Sequence, residues 1–142
     1  MNRTYSAAQR LRWVVVDDNP AVGEVIELAL QSLAPRQVDR FSSGCEALAA
    51  ISSSAASVEM LITDRHMPGI CGLELARCIR AFAPHVKTIL ATASYDELTP
   101  EEFKRAGFFA VLPKPFSLRR LEAVVRRVAR ESAAASMRLC AA

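Results

Sequence analysis

The chain has 142 residues, of which 51% are hydrophobic and 23% are charged. This size suits one domain with a substantial core, and the composition excludes a disordered chain. No apolar run approaches the roughly 18 residues that a membrane-spanning helix needs, and the run after Trp13 is too short for a signal peptide. We therefore expect a cytoplasmic protein without membrane contact. The net charge of +3 does not by itself require a nucleic-acid partner.

The first part of the chain alternates short apolar runs with amphipathic segments. Residues 13–18 ("WVVVDD") predict a strand that ends in two aspartates, and residues 20–33 predict a helix. A second strand is predicted at 37–41 and a second helix at 43–51. The β-rich run at 59–64 then predicts a third strand, which again ends in an aspartate.

The alternation continues through the second part of the chain. Residues 72–82 predict a third helix, and the run at 86–94 predicts a strand that ends in small hydroxylic residues. A short helix is predicted at 99–107 because a capping box opens it and a glycine ends it. A fifth strand at 109–115 and a final helix at 117–130 complete the pattern.

Five alternating strands and helices predict an α/β fold, a doubly wound five-stranded parallel sheet with five helices on its two faces. We expect one domain over residues 11–130, after an N-terminal extension at 1–10 and before a tail or helix continuation at 131–142. Right-handed crossovers bring the carboxyl ends of the strands to one edge of the sheet, where open α/β sheets place their sites.

Polar side chains follow four of the five predicted strands at that edge: Asp17, Asp18, Asp64, Thr92 and Lys114. A single strand-end aspartate is usually a turn former or a helix cap, and a single lysine is usually a solvated surface charge. Three carboxylates in one place are costly unless a hard divalent cation binds them, and Mg²⁺ suits such oxygen ligands. Together the five residues contain the parts of a phosphoryl-transfer site.

Four sequence blocks strengthen this interpretation. The blocks "VVVDDN", "LITDRHMPGICGLEL", "ILATAS" and "LPKPF" resemble, in order and in spacing, the signature blocks of the response-regulator receiver domain of two-component signalling. The resemblance covers roughly residues 11–130. It implies the flavodoxin-like strand order 2-1-3-4-5.

The resemblance also implies roles for the acidic residues. Asp64 corresponds to the phosphoacceptor, and Asp17 and Asp18 correspond to residues that hold Mg²⁺, with Asp18 as the more direct ligand. The backbone carbonyl of His66 would complete the protein's share of the metal ligands. By the same resemblance, a sensor histidine kinase or a histidine phosphotransfer protein would supply the phosphoryl group.

The remaining implied roles concern the phosphoryl oxygens. Thr92 would hydrogen-bond the phosphoryl group and move toward it on activation, and Lys114 would pair with another of its oxygens. The Lys114–Pro115 peptide bond would be cis, which an X–Pro sequence permits. On this interpretation the chain is not an enzyme, beyond promoting its own phosphorylation and dephosphorylation.

Two positions leave alternatives open. Val111 stands where the family usually has an aromatic residue that takes part in the switch, and valine has little reach. Either the switch is muted, or Phe108 or Phe109 replaces the aromatic, or the valine is a tolerated core substitution. His66 either tunes dephosphorylation by positioning or excluding water, or is an exposed loop residue without a role.

The last predicted helix is rich in arginine: Arg119, Arg120, Arg126, Arg127 and Arg130. These side chains form either a solvated outer face or a docking surface for an acidic partner. The resemblance implies that the last two helices with the strand between them form a switchable face, for a downstream protein or a homodimer. Direct nucleic-acid binding is not expected, because a basic helix alone supplies no groove geometry.

Two other functions use the same residues. One is a Mg²⁺-dependent phosphohydrolase that forms an aspartyl phosphate, but such enzymes carry an acid two residues after the nucleophile, and here His66 stands there. The other is an interaction module that keeps the receiver fold without being phosphorylated. The complete acid set with Thr92 and Lys114 argues against it, whereas Val111 leaves it open. Zinc is not expected, because the four cysteines lack metal-binding spacing.

Overall fold

The structure of the protein is a computed structural model that describes residues 11–141. Its five strands are β1 (Arg12–Val16), β2 (Gln37–Phe41), β3 (Val58–Asp64), β4 (Lys87–Thr92) and β5 (Ala110–Pro113). Its five α-helices are α1 (Pro20–Leu33), α2 (Gly44–Ser53), α3 (Gly72–Phe82), α4 (Pro100–Ala106) and α5 (Leu118–Ala141). Single 3₁₀ turns at Ala55–Ser57 and Tyr95–Glu97 precede β3 and α4.

The five strands form one parallel sheet in the order β2-β1-β3-β4-β5, which confirms the predicted topology. The register aligns the carboxyl ends of the central strands. Val16 pairs with Thr63, Asp64 pairs with Ala91, and Thr92 pairs with Pro113. The residues that follow these ends are therefore neighbours at one edge of the sheet.

The central strands β1, β3 and β4 are buried at nearly every position, so the middle of the sheet is covered on both faces. Odd and even positions of β1 illustrate this: Val15 packs in the cluster beneath α1 and α5, and Val14 packs in the cluster beneath α2 and α3. A third, smaller cluster lies beneath α4 and contains Ala76, Leu90 and Phe108. Burial on both faces is typical of parallel sheets with helical crossovers.

Local signals at the helix ends account for several boundaries. The Ser43 hydroxyl accepts the backbone N–H of Glu46 at the start of α2. Helix α4 begins with the predicted capping box between Thr99 and Glu102, and it ends at Gly107, which adopts the left-handed conformation with φ 71°.

The last helix continues past residue 130 and reaches Ala141 without interruption. The proposed N-terminal extension at residues 1–10 lies outside the described residues. The division of the chain at these two points therefore stays a prediction. Within residues 11–141, no helix combines the length and the apolar character needed to cross a membrane.

A buried carboxylate stabilises the end of the sheet opposite to the polar edge. Glu59 is 5% exposed, and its Oε2 accepts hydrogen bonds from the indole Nε1 of Trp13 at 2.8 Å and from Arg36 Nε at 3.2 Å. Because Trp13 is itself buried, loss of this acceptor leaves an unpaired indole N–H inside the protein.

We expect Glu59→Ala to lower the free energy of unfolding by about 2–3 kcal/mol, since a stranded buried donor and a lost charged partner both contribute. Urea denaturation measures the change. The matched control is Glu27→Ala, which removes a partly exposed ion pair with Arg40 and should cost less than about 1 kcal/mol. Equal costs for the two variants would contradict the structural role of Glu59.

Candidate functional site

The structure brings all five predicted polar side chains to the carboxyl edge of the sheet. Asp17 and Asp18 follow β1, Asp64 is the last residue of β3, Thr92 ends β4, and Lys114 follows β5. Each side chain lies at or just after the end of a strand, and the pairing of that strand in the sheet fixes its position. The edge therefore holds three carboxylates, a hydroxyl and an ammonium group on a rigid base.

The three carboxylates form a compact cluster. One oxygen from each of Asp17, Asp18 and Asp64 can be chosen so that all three lie within 4.8 Å of one another. Asp17 is buried, Asp64 is partly buried and Asp18 is exposed, so the cluster opens toward solvent on the side of Asp18. The Asp17 Oδ1 accepts the backbone N–H of Asn19 at 2.9 Å, which fixes that carboxylate.

Lys114 supplies the positive charge of the cluster. Its Nζ donates to Asp17 Oδ2 at 2.7 Å and lies 3.5 Å from Asp64 Oδ1. The backbone N–H of Lys114 donates to the carbonyl oxygen of Thr92 at 2.8 Å, which ties the loop after β5 to the end of β4. The Lys114–Pro115 bond is cis, as predicted.

Burial and charge together perturb Asp64. Desolvation raises the pKa of Asp64 above its ordinary value of 3.8, and the charges of Asp17 and Asp18 raise it further. Lys114 and the backbone N–H of Arg65, which donates to Asp64 Oδ1 at 2.8 Å, act in the opposite direction. The ionised Asp64 is therefore less favourable in this site than in water.

This raised pKa predicts a pH-dependent gain in stability for Asp64→Asn in Mg²⁺-free buffer. The native state binds the Asp64 proton more tightly than the unfolded chain, so ionisation of Asp64 lowers stability as the pH rises from about 3.8 through the raised native pKa. The variant should be more stable than wild type at neutral pH, by less than about 1 kcal/mol because solvent screens the site. The gain should vanish below about pH 3.8.

Thermal unfolding across this pH range measures the difference between the two proteins. A variant that is less stable at neutral pH, or whose advantage persists unchanged in acid, would contradict the electrostatic explanation.

Thr92 and His66 occupy different environments. Thr92 is buried, and its Oγ1 accepts the backbone N–H of Ser94 at 3.0 Å, which leaves the hydroxyl proton free to be donated. The His66 ring is 64% exposed and lies 3.9 Å from a carboxylate oxygen of Glu97. His66 lies two residues after Asp64 in the loop that follows β3, and its role in dephosphorylation stays a prediction.

The aromatic residues near Val111 are engaged in packing. Val111 lies against the cluster beneath α4. Phe108 is buried in that cluster with its ring centroid 6.1 Å from that of Phe103. The ring of Phe109 lies beneath the Arg127 guanidinium, 4.9 Å from its centre, on the α5 side of the sheet. That Phe108 or Phe109 replaces the aromatic at 111 stays a prediction, as does the effect of Val111 on switching.

Two features of the site are absent from the sequence interpretation. Arg65 is 9% exposed, and its Nη2 lies 3.4 Å from Glu102 Oε2 on α4. In the sequence, this contact is indicated only by an arginine directly after the aspartate that ends a strand. The second feature is a groove of about 580 Å³ between α1 and the start of α5, with Lys114 among its lining residues. Val25, an apolar residue on the outer face of α1, lines this groove and is 66% exposed.

The donor set fits Mg²⁺. Three carboxylates with oxygens within 4.8 Å offer the hard ligands that this ion prefers, and the exposed side at Asp18 leaves room for bound water. A divalent ion would also relieve the repulsion from Asp17 and Asp18 that raises the pKa of Asp64.

Comparisons with known proteins agree with this geometry. Residues 14–126 match the family model described as the response regulator receiver domain. The chain is 36% identical over 113 residues to the DNA-binding transcriptional regulator NtrC of Salmonella typhimurium, covering 80% of this chain and 24% of NtrC. It is 34% identical over 131 residues to the response regulator MprA of Mycobacterium bovis, covering 89% of this chain and 56% of MprA.

Solved structures show the same fold. The response regulator TrrA of Thermotoga maritima, in complex with Mg²⁺ and BeF, superposes with a TM-score of 0.75 at 30% identity, covering 83% of this chain and 98% of TrrA. A receiver domain protein from Clostridium thermocellum gives a TM-score of 0.79 at 24% identity, covering 86% and 96%. The matched segment spans about a quarter of NtrC. The chain belongs to the response-regulator receiver family of two-component signalling.

Proposed function

We propose that this receiver domain accepts a phosphoryl group on Asp64 from the phosphohistidine of a sensor histidine kinase or a histidine phosphotransfer protein. The observation that supports the proposal is the cluster of Asp17, Asp18 and Asp64 oxygens within 4.8 Å, with Lys114 against two of the three carboxylates. A nucleophilic carboxylate, further acids for a metal and a cation for the phosphoryl group are the parts that phosphoryl transfer requires.

In the proposed reaction an oxygen of Asp64 forms a bond to phosphorus. The P–N bond of the donor phosphohistidine breaks, and its electron pair stays on the imidazole, which takes up a proton. Lys114 and the hydroxyl of Thr92 bind oxygens of the transferred group. Mg²⁺, bound by Asp17, Asp18, Asp64 and the backbone carbonyl of His66, would neutralise the charge that accumulates there.

Phosphorylation is proposed to switch the face formed by α4, β5 and α5, for a downstream protein or for a second copy of the chain. The basic side chains on α5 would make that face suitable for an acidic partner. On this proposal the domain acts in the cytoplasm, does not bind nucleic acid directly, and turns over no substrate besides its own phosphoryl group.

Incubation with acetyl phosphate and Mg²⁺ tests the proposal, with intact-protein mass as the measurement. The expected result is one added phosphoryl group per chain. No group should be added when Mg²⁺ is chelated before the donor is supplied. The same sample is assayed against p-nitrophenyl phosphate. Steady release of nitrophenol would favour a phosphohydrolase, and the absence of any labelling would favour an interaction module that is not phosphorylated.

A further inference from the structure

Arg65 contacts the phosphoacceptor and helix α4 at the same time. Its backbone N–H donates to Asp64 Oδ1 at 2.8 Å. Its side chain extends to α4, where Nη2 lies 3.4 Å from Glu102 Oε2. One residue therefore joins the carboxylate proposed for phosphorylation to the first turn of a helix on the proposed switching face.

The contact between the Arg65 side chain and Glu102 is weak. The distance of 3.4 Å is long for a charge-assisted hydrogen bond, and Glu102 Oε2 also accepts the backbone N–H of Thr99 at 3.2 Å. The Arg65 Nη1 atom is buried without a hydrogen-bond partner among the described residues. The guanidinium is therefore held by one long bond to an acceptor that it shares with the Thr99 N–H, and this contact is the weaker of the two that Arg65 makes.

The two ends of α4 are held by different arginines. At the C-terminal end, Arg80 Nη1 lies against the carbonyl oxygens of Lys104 and Arg105 at 3.1 and 3.3 Å. Arg80 belongs to α3 and has no contact with the acid cluster among the residues described. The N-terminal end, where Arg65 meets Glu102, is the end that is linked to Asp64.

We propose that Arg65 is the positioning residue that couples the chemical state of Asp64 to α4, and that phosphorylation of Asp64 releases Glu102 and loosens the first turn of that helix. This inference rests on the proposed function. It supplies a switching route that does not need an aromatic side chain at Val111.

The coupling follows from the charge on Asp64 Oδ1. When a carboxylate oxygen forms the new bond to phosphorus and the donor's leaving group departs with its electron pair, the carboxylate becomes an acyl phosphate. Oδ1 is then either the bridging oxygen or a carbonyl oxygen, and it no longer shares a full negative charge. Its hydrogen bond from the Arg65 N–H weakens, because ionised acceptors bind about twice as strongly as neutral ones.

A shift of the Arg65 backbone then acts on the weakest contact of its side chain, the bond to Glu102. Arg80 continues to hold the other end of α4, so the helix opens from its N-terminal turn. The amide of Phe103, which donates to the Thr99 carbonyl in the first turn, reports this opening in hydrogen exchange, and the amide of Gly107 at the end held by Arg80 serves as the internal reference.

Glu102→Gln is the test variant, because glutamine keeps the capping box but removes the ion pair with Arg65. Glu101→Gln is the matched control, since it removes the same charge from the same turn at an exposed position. Hydrogen exchange of the α4 amides is measured for wild type and both variants, each with Mg²⁺ alone and with Mg²⁺ and beryllofluoride. Labelling by acetyl phosphate is measured on the same three proteins.

The expected result is that beryllofluoride speeds α4 exchange in wild type and in Glu101→Gln by up to about fivefold, the range of a partly exposed ion pair. Glu102→Gln should exchange at the faster rate from the start and change little on activation. All three proteins should be labelled equally by acetyl phosphate.

Two outcomes would overturn the coupling while leaving phosphorylation intact: labelled wild type without a change in α4 exchange, or a Glu102→Gln response equal to that of wild type. Failure of wild type to be labelled at all would instead contradict the proposed function, and the labelling assay separates the two cases.

Discussion

Asp64→Asn is expected to abolish labelling of the protein by acetyl phosphate, with a fall in rate of at least about a hundredfold. An amide is a poor nucleophile toward phosphorus and cannot replace the carboxylate. The side-chain oxygen of asparagine can still accept the N–H of Arg65, so the local hydrogen bond survives. Because the same substitution is expected to raise stability at neutral pH in Mg²⁺-free buffer, unfolding of the variant does not explain such a loss.

The control for this experiment is Asp96→Asn, which neutralises an exposed acid in the 3₁₀ turn after β4. It should be labelled like wild type. Labelling of Asp64→Asn at the rate of wild type would show that the phosphoryl group is bound elsewhere.

Asp18→Asn is expected to raise the Mg²⁺ concentration needed for half-maximal labelling by at least about tenfold. Substitutions of residues that merely orient metal ligands cost 10–100-fold in affinity, and a direct carboxylate ligand should cost no less. Asp18 is a cleaner choice than Asp17, because Asp17 also binds Lys114 at 2.7 Å and its loss would disturb two interactions. Titration of Mg²⁺ at a fixed acetyl phosphate concentration measures the shift.

Labelling of Asp18→Asn should recover at saturating Mg²⁺, because the nucleophile is intact. An unchanged Mg²⁺ requirement would mean that Asp18 is not a metal ligand. A loss that no Mg²⁺ concentration restores would mean that Asp18 acts on the reaction in some other way.

The sheet order and the edge that holds the site could be predicted because they depend on few signals. Apolar runs bounded by turn residues identify the strands, and the right-handed crossover rule places their carboxyl ends together. Boundaries were less predictable. The first strand ends at Val16, before the aspartates, and the last helix continues to Ala141 through a segment rich in alanine, for which neither turn residues nor apolar periodicity set an end.

The contacts within the site could not be predicted, since they depend on distances of a few ångströms between side chains distant in sequence. Lys114 was expected to bind a phosphoryl oxygen, and the structure shows its closer contact with Asp17 rather than with Asp64. The direction of the Arg65 side chain depends on where α4 packs, which no local pattern specifies. Sequence therefore identified the polar groups at this edge of the sheet, and the structure identified how they are held.

Asp64, and not its acidic neighbours, is proposed to carry the phosphoryl group. Borohydride reduces an aspartyl phosphate to homoserine, which leaves a stable mark at the modified residue. Wild-type protein is labelled with acetyl phosphate and Mg²⁺, reduced, digested and sequenced by mass spectrometry. We expect homoserine at position 64 alone, and homoserine at position 17 or 18 with Asp64 unmodified would contradict the proposal.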